Sequence, residues 1–205
     1  MGRDGGRRAY LAVLVVCLGL LLLNFAKRSV DLQMANEHRY PRKNQNLSLA
    51  QADGIVTIEG NGILYGSDLK ALLRNTGMRE RDVTDVIIGA GIVEIGYDVF
   101  NDFEELITLK LGDDVERVAA GGLRQCPQLR YLYLPAGLKD IGLDFLYECD
   151  QCRVVTRGQA TELPPMANVG DDRILDGVDS PEALKAAASE ALPAAVTRWW
   201  PAEGE

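Results

Sequence analysis

The sequence predicts an α/β repeat domain: a short solenoid of about three 23-residue coils, closed at its N-terminal end by a strand-and-helix cap and preceded by one transmembrane helix. Three observations carry this prediction. Residues 9–26 contain no charge, residues 83–157 repeat themselves every 23 positions, and the composition leaves little room for catalysis. The chain has 205 residues with 22 Lys and Arg against 30 Asp and Glu, a formal net charge of −8. An acidic surface repels phosphate backbones, so nucleic acid is not an expected partner. The only histidine is His38, which rules out a multi-histidine metal site and leaves a Ser-His-Asp or Cys-His pair without a base unless His38 supplies it. The chain therefore reads as non-catalytic, with neither cofactor nor metal expected.

Residues 1–8 form a short basic N-terminus ending in Arg7-Arg8. The stretch 9–26, AYLAVLVVCLGLLLLNFA, follows as a signal-anchor helix. Eighteen helical residues reach about 27 Å, close to the hydrocarbon thickness of a bilayer. The run is long for a cleaved leader, and Asn24 and Ala26 make a poor cleavage site. Cys17 follows bulky Val16, unlike a lipoprotein site. The core after Arg7-Arg8 is more apolar than a twin-arginine signal needs, and Gly6 stands where myristoylation wants Ser or Thr. Basic residues near the span number three before it (Arg3, Arg7, Arg8) and five after it (Lys27, Arg28, Arg39, Arg42, Lys43). That count favours the C-terminal part inside. Against it, Arg7, Arg8 and the amino terminus resist translocation, whereas long domains cross largely regardless of charge. The adopted orientation places residues 30–205 outside the cell.

Residues 27–52 read as a polar juxtamembrane linker carrying a formal glycosylation sequon, Asn46-Leu47-Ser48, meaningful only in a eukaryotic secretory host. Residues 53–82 read as the cap. Ile55–Ile58 and Ile63–Tyr65 are two short strands around Glu59-Gly60-Asn61-Gly62. A helix follows, with Ser67 as its cap, Leu69, Leu72 and Leu73 on one face, and Gly77 past its end. Gly60-Asn61-Gly62-x-x-x-Gly66 imitates a dinucleotide-binding loop, but no alternation of strands and long helices follows it, so turn glycines explain it.

Residues 83–158 form the repeat. Seven columns are apolar in all three copies: Val86/Leu109/Leu132, Ile88/Leu111/Leu134, Ile92/Val115/Leu138, Ile95/Val118/Ile141, Phe100/Leu123/Leu146, Phe103/Cys126/Cys149 and Leu106/Leu129/Cys152. Each copy opens with an apolar-polar alternation such as Thr108-Leu109-Lys110-Leu111, the signature of a strand. A Gly or Pro then turns the chain (Gly89, Gly112, Pro135). No copy can bury seven columns alone, so neighbours must stack, and the period falls in the leucine-rich-repeat range.

The phrase VTIEGNGIL (56–64) with VTDVIIGAGIVEIGYDVFNDFEELITLKL (83–111) resembles the cap and first repeats of the BspA-like leucine-rich-repeat proteins. Their pattern is an apolar strand, a turn, V-x-x-I-G, an aromatic and C-x-x-L. It stands here as Ile92–Ile95-Gly96, Phe100, and Cys126 to Leu129. The departures are Ala119 for Gly, Cys152 for Leu, and few repeats. The resemblance covers about residues 54–158. It implies a surface-exposed, non-enzymatic module that binds proteins or other ligands, often on bacteria.

Cys149-Asp150-Gln151-Cys152 is a CxxC, but its cysteines already occupy apolar columns, and no second pair completes a zinc site. Cys126 and Cys149 fall in adjacent layers, so a disulfide between them is conceivable, with free thiols the favoured state. The fourth copy fails at Arg157, Thr161 and Pro164, leaving Asp85, Ile87, Thr108, Lys110, Tyr131, Tyr133, Val154 and Thr156 on the outward strand face. Tyr131 and Tyr133, with Thr108 and Lys110, are candidate contacts for a partner on that exposed side. Residues 159–205 form a tail. Pro164-Pro165 stops regular structure, Ser180-Pro181-Glu182 starts a helix near 180–192 with Leu184, Ala188 and Leu192 on one face, and Pro193 ends it. Trp199 and Trp200 are either folded back over the domain, the favoured reading, or exposed as partner contacts.

The function expected from all this is a membrane-anchored extracytoplasmic module that binds a protein or glycan at the cell envelope. An accessory subunit of an envelope polysaccharide system is the alternative. A cytoplasmic-facing scaffold differs from the first reading only in topology. An envelope hydrolase stands last, because its best carboxylates, Asp113-Asp114, sit at a repeat turn where solvated acids are ordinary.

Overall fold

A computed structural model describes residues 46–157 and 169–200. The signal-anchor segment 9–26 lies outside the described residues, and within them no helix is long and apolar enough to cross a membrane.

The fold is α/β, with two sheets built from parallel strands. Strand β1 (Ser48–Ala52) forms an antiparallel hairpin with β2 (Ile55–Glu59). Its turn is Asp53-Gly54, at φ +50° and +83°, so both central residues have the positive φ that a tight hairpin with right-handed twist requires. Residues 48–52 were expected to belong to the linker. They pair because Asp-Gly between two runs is a hairpin signal that their own weak strand propensity hides. After β3 (Gly62–Leu64) comes helix α1 (Gly66–Asn75), which buries Leu69 and Leu73. The residue preceding the helix is Tyr65, in extended conformation and without a side-chain cap, so Ser67 lies inside the helix and does not cap it.

Each repeat then contributes one strand to each sheet. The first sheet continues as β4 (Asp85–Ile88), β6 (Thr108–Lys110), β8 (Tyr131–Leu134) and β10 (Arg153–Thr156), all parallel, and ends on β11 (Ile174–Leu175). The second holds β3, β5 (Ile92–Ile95), β7 (Arg117–Val118) and β9 (Asp140–Ile141). Val86 pairs with Leu109 and Leu109 with Leu132, so a 23-residue step in sequence is one rung in space. All 21 column residues are buried, none more than 8% exposed, in one continuous cluster. Burial of side chains this size contributes about 1.5–3 kcal/mol each, most of it offset by chain entropy. The returning segments, 99–106 and its equivalents, are turns.

Polar side chains stitch neighbouring rungs at the same 23-residue separation. Thr108 Oγ1 donates to Asp85 Oδ1 at 2.6 Å, Lys139 Nζ to Glu116 Oε1 at 2.7 Å, and the Gly91 N–H to Asp114 Oδ2 at 2.8 Å. Arg117 meets Glu94 at 2.7 Å with side chains only 11% and 5% exposed.

The period slips once. Leu132 pairs with Val154 and Leu134 with Thr156, 22 residues on. A further 23-residue step would have set Arg157 in the core column of Leu134, and an unpaired charge there is far costlier than a threonine. Thr156 fits because its hydroxyl donates to Asp176 at 2.8 Å. Since a one-residue shift exchanges the faces of a strand, Val154 and Thr156 point inward, not outward as expected, and Val155 takes the outer face.

Beyond β11, helix α2 (Pro181–Ala188) begins where expected, its Ser180 Oγ accepting the Ala183 N–H at 3.2 Å. It ends before 192, because Ser189 turns left-handed at φ +55°. A 3-10 turn, Ala194–Trp199, finishes the described chain.

Candidate functional site

The outer face of the first sheet carries, rung by rung, Ile55, Asp85, Thr108, Tyr131 and Arg153 in one column and Thr57, Ile87, Lys110, Tyr133 and Val155 in the next. This is the surface on which Thr108, Lys110, Tyr131 and Tyr133 were expected to meet a partner. It is not free. Tyr131 and Tyr133 are buried, at 0% and 4% exposure, in a second apolar cluster with Val155, Val178, Leu184, Ala188, Val196 and Trp199. The expectation of exposed tyrosines is therefore corrected: the chain's own C-terminal segment lies across them.

That segment is a strap. The Val178 N–H donates to the Thr156 carbonyl at 2.9 Å, at the last rung. Further along, Arg153 Nη1 donates to the Ala188 carbonyl at 2.8 Å, and the Tyr131 hydroxyl to Glu190 Oε1. Lys110 Nζ donates to the Trp199 carbonyl, and Arg198 meets Asp53 at 2.7 Å, at the first hairpin. The strap thus crosses the sheet from its last strands to its first. Trp199 is 2% exposed, its ring edge-on to Tyr133 with centroids 5.8 Å apart, and Trp200 is half-buried at 6.0 Å from the same ring. Both tryptophans are folded back over the domain.

Burial leaves its mark on the titrating groups. Desolvation, then the hydrogen bond to Glu190, pushes the Tyr131 phenol up to about 12. The same bond holds Glu190 below the usual carboxylate range. Desolvation raises Tyr133 and lowers Lys110, whose ammonium sits 5.6 Å from the Tyr133 ring centre. Thr108 is buried and used internally.

The cysteines belong to the core. Cys126, Cys149 and Cys152 are free, buried thiols. Cys126 Sγ contacts the Phe100 carbonyl at 3.0 Å and Cys149 Sγ the Leu123 carbonyl at 3.6 Å. Hydrogen bonding to Cys149, then burial, pushes the Cys126 thiol up, and burial does the same to Cys152. Asp114 accepts the Gly91 N–H and so staples the repeat turn.

A different surface was missed. Among the described residues the large exposed apolar side chains are Tyr97, Leu143 and Tyr147, at 52%, 71% and 50% exposure. They surround one cleft of about 260 Å³, lined also by Ala120, Gly121, Arg124 and Asp144. The repeat explains the cleft. Tyr97, Ala120 and Leu143 are successive members of one column, as are Asn101, Arg124 and Tyr147, so the middle copy presents Ala where its neighbours present large side chains. Arg124 and Tyr97 close over Gly121: a Cβ there would lie 3.1 Å from Arg124 Cδ and 3.3 Å from the Tyr97 ring. Arg124 Nη1 reaches the Tyr97 hydroxyl at 3.4 Å, while its Nε faces Asp98 Oδ1 at 3.8 Å, beyond hydrogen-bond reach. Both of those atoms, with Asn101 Oδ1, are shielded from solvent without a hydrogen bond. The signal was present in sequence, since columns outside the seven apolar ones show where the copies disagree.

No protein-family model matches the chain, and no curated protein does. Among solved structures it is similar to a leucine-rich repeat protein from Eubacterium ventriosum, at 11% identity and a TM-score of 0.35. That match covers 55% of this chain and 43% of the other, so the chain spans less than half the length of that protein.

Proposed function

We propose that the protein is a non-catalytic leucine-rich-repeat solenoid of the BspA-like type, anchored by residues 9–26 and displayed outside the membrane to bind a protein or glycan partner of the cell envelope. The observation that supports it most is the in-register stacking of the seven columns, because a rigid stack offers its unstitched surfaces for recognition. The strap occupies the outer strand face, so the reading moves recognition to the back turns, where Tyr97, Leu143 and Tyr147 remain exposed. A role as accessory subunit of an envelope polysaccharide system follows if that partner is an assembly enzyme or its polymer. Asp114, one of the two carboxylates a hydrolase reading would call on, accepts the Gly91 N–H as a turn staple.

Fractionation with protease treatment of intact cells tests the topology, and crosslinking followed by affinity capture tests the binding role. The expected result is a membrane-bound protein, trimmed from outside, that returns one specific partner. Recovery in the soluble fraction, or protection of residues 46–200 in intact cells, would overturn the anchored-outside reading.

A further inference from the structure

We propose that Cys126 and Cys149 are a disulfide-forming pair, joined by thiol–disulfide exchange when the chain folds in an oxidising compartment. The inference rests on the reading that places the repeat domain outside the cell, where the co-reactant, an external disulfide, is at hand.

The repeat itself brings the two sulfurs together. Phe103, Cys126 and Cys149 are successive members of one buried column, so the second and third copies set cysteines on adjacent rungs. Backbone bonds just before each cysteine hold the two turns side by side: the Leu123 N–H donates to the Phe145 carbonyl at 3.0 Å, and the Gln125 N–H to the Tyr147 carbonyl at 2.9 Å. Rungs about 4.8 Å apart put the two Cα atoms inside the window of about 4.4–6.8 Å that disulfides span. The side chains also take the same pose, Cys126 Sγ against the Phe100 carbonyl and Cys149 Sγ against the Leu123 carbonyl, each 26 residues back. Nothing stands between the sulfurs, since the two thiols hydrogen-bond to one another.

Cys152, the other thiol of the CxxC, is turned elsewhere. It occupies the column of Leu106 and Leu129, and its Sγ faces the Arg153 carbonyl at 3.7 Å. Cys149 is the nucleophile of the pair. The Cys126 S–H bonded to it, helped by the Arg173 charge, holds its thiol below the ordinary value, while Cys126 is pushed up. As the last rung closes, the Cys149 thiolate attacks the external disulfide and one thiolate leaves, giving a mixed disulfide. Cys126 then loses its proton and attacks Cys149 Sγ, and the second thiolate leaves. Each leaving thiolate takes up a proton that a cysteine has lost, so two protein thiols are oxidised and one disulfide is reduced to two thiols. Both steps precede full burial, because the finished fold leaves both cysteines at 0% exposure. The bond forfeits the contacts to the Phe100 and Leu123 carbonyls, a small loss because a thiol is a weak donor. In return it clips the second rung to the third.

The full-length chain, reduced and unfolded, is refolded in detergent with oxidised and reduced glutathione, trapped with iodoacetamide and digested with trypsin, which cuts between the two cysteines at Arg130 and Lys139. The expected product is fragment 125–130 joined to fragment 140–153, two hydrogens lighter than their sum and released by dithiothreitol. Fragmentation of the joined peptides should place the bond on Cys149 and not on Cys152, an assignment that needs no variant to fold. Cys152→Ala should keep the product and Cys149→Ala should lose it. Fragment 140–153 closed on itself through Cys149 and Cys152, a bond between two chains, or alkylation of every thiol would overturn the proposal. A pair that closes in this assay but is recovered reduced from cells removes the outside reading and leaves the chemistry standing. A chain trimmed from outside whose pair never closes removes this inference alone.

Discussion

Replacing Trp199 by Ala is expected to release the strap and leave the stack of rungs folded. A tryptophan buries about 150–250 Å², worth about 4–6 kcal/mol at about 25 cal/mol per Å². Here 2% of Trp199 stays exposed, so nearly all of that applies. Against it, the indole Nε1 is shielded without a hydrogen bond, and an orphan donor costs about 1–3 kcal/mol. The difference is about 3 kcal/mol, or a little over a hundredfold in the docking equilibrium. The loss is local because the strap's apolar cluster is distinct from the main core cluster. Native-state hydrogen exchange separates the outcomes. Amides of α2 and of the Val178 turn should exchange about a hundredfold faster, while those of β4, β6 and β5 keep their protection. Trp199→Phe discards the orphan N–H with part of the area and should fall between wild type and Ala. Acceleration of every amide alike in Trp199→Ala, or of none, would refute a strap that docks as a separate unit.

The Gly142→Ala change would set a Cβ 2.1 Å from the Ala120 backbone nitrogen, where nothing yields, so a loss of about 1–3 kcal/mol or more is expected in a denaturant melt. Gly137→Ala, 3.5 Å from its nearest neighbour, is the near-neutral control. Arg117→Met strands the buried Glu94 carboxylate and should cost about 3–5 kcal/mol, partly recovered when Glu94→Leu is added. The strap should also respond to pH. Tyr131's phenol is raised above its ordinary value, so its contribution is full below about pH 10 and lost as pH rises through about 12. Glu190 is lowered, so its contribution is present above its ordinary range and lost as pH falls through the depressed value. Both tryptophans of the chain lie in the strap, so their emission should shift red at each limb, and Tyr131→Phe should flatten the alkaline one.

The inner columns were legible because burial imposes a single demand at a fixed interval: every twenty-third residue must be apolar. That demand recurs in all three copies, so each member of a column could be placed before any contact was known. The slip at β10 was half-legible. Arg157 showed that the column could not continue, but whether the chain stops or shifts by one depends on a partner from outside the repeat. Here Thr156 has Asp176 for its hydroxyl, twenty residues further along the chain. Helix α1 followed from the spacing of Leu69 and Leu73 and not from its expected Ser67 cap, the start of α2 from Ser180-Pro181, whereas the end of α2 turned on Ser189 taking a left-handed conformation, which a serine does not announce.

The site was misread for a physical reason that β8 itself displays. Tyr131-Leu132-Tyr133-Leu134 is apolar on both faces, and a strand of a parallel sheet with that character is ordinarily covered on both. Reading its tyrosines as exposed treated each rung as a half-buried strand and left the tryptophans of the tail without a surface. Joining the two accounts for both: Tyr131 and Tyr133 of β8, with Val155 beside them, give the outer face its apolar ground, and the aperiodic tail is what closes it. The back surface follows the opposite rule. There the repeat needs nothing from its outward columns, so a difference between copies carries no penalty to the core. The notch at Ala120 and Gly121 exists because the middle copy departs from its neighbours at positions that packing leaves free.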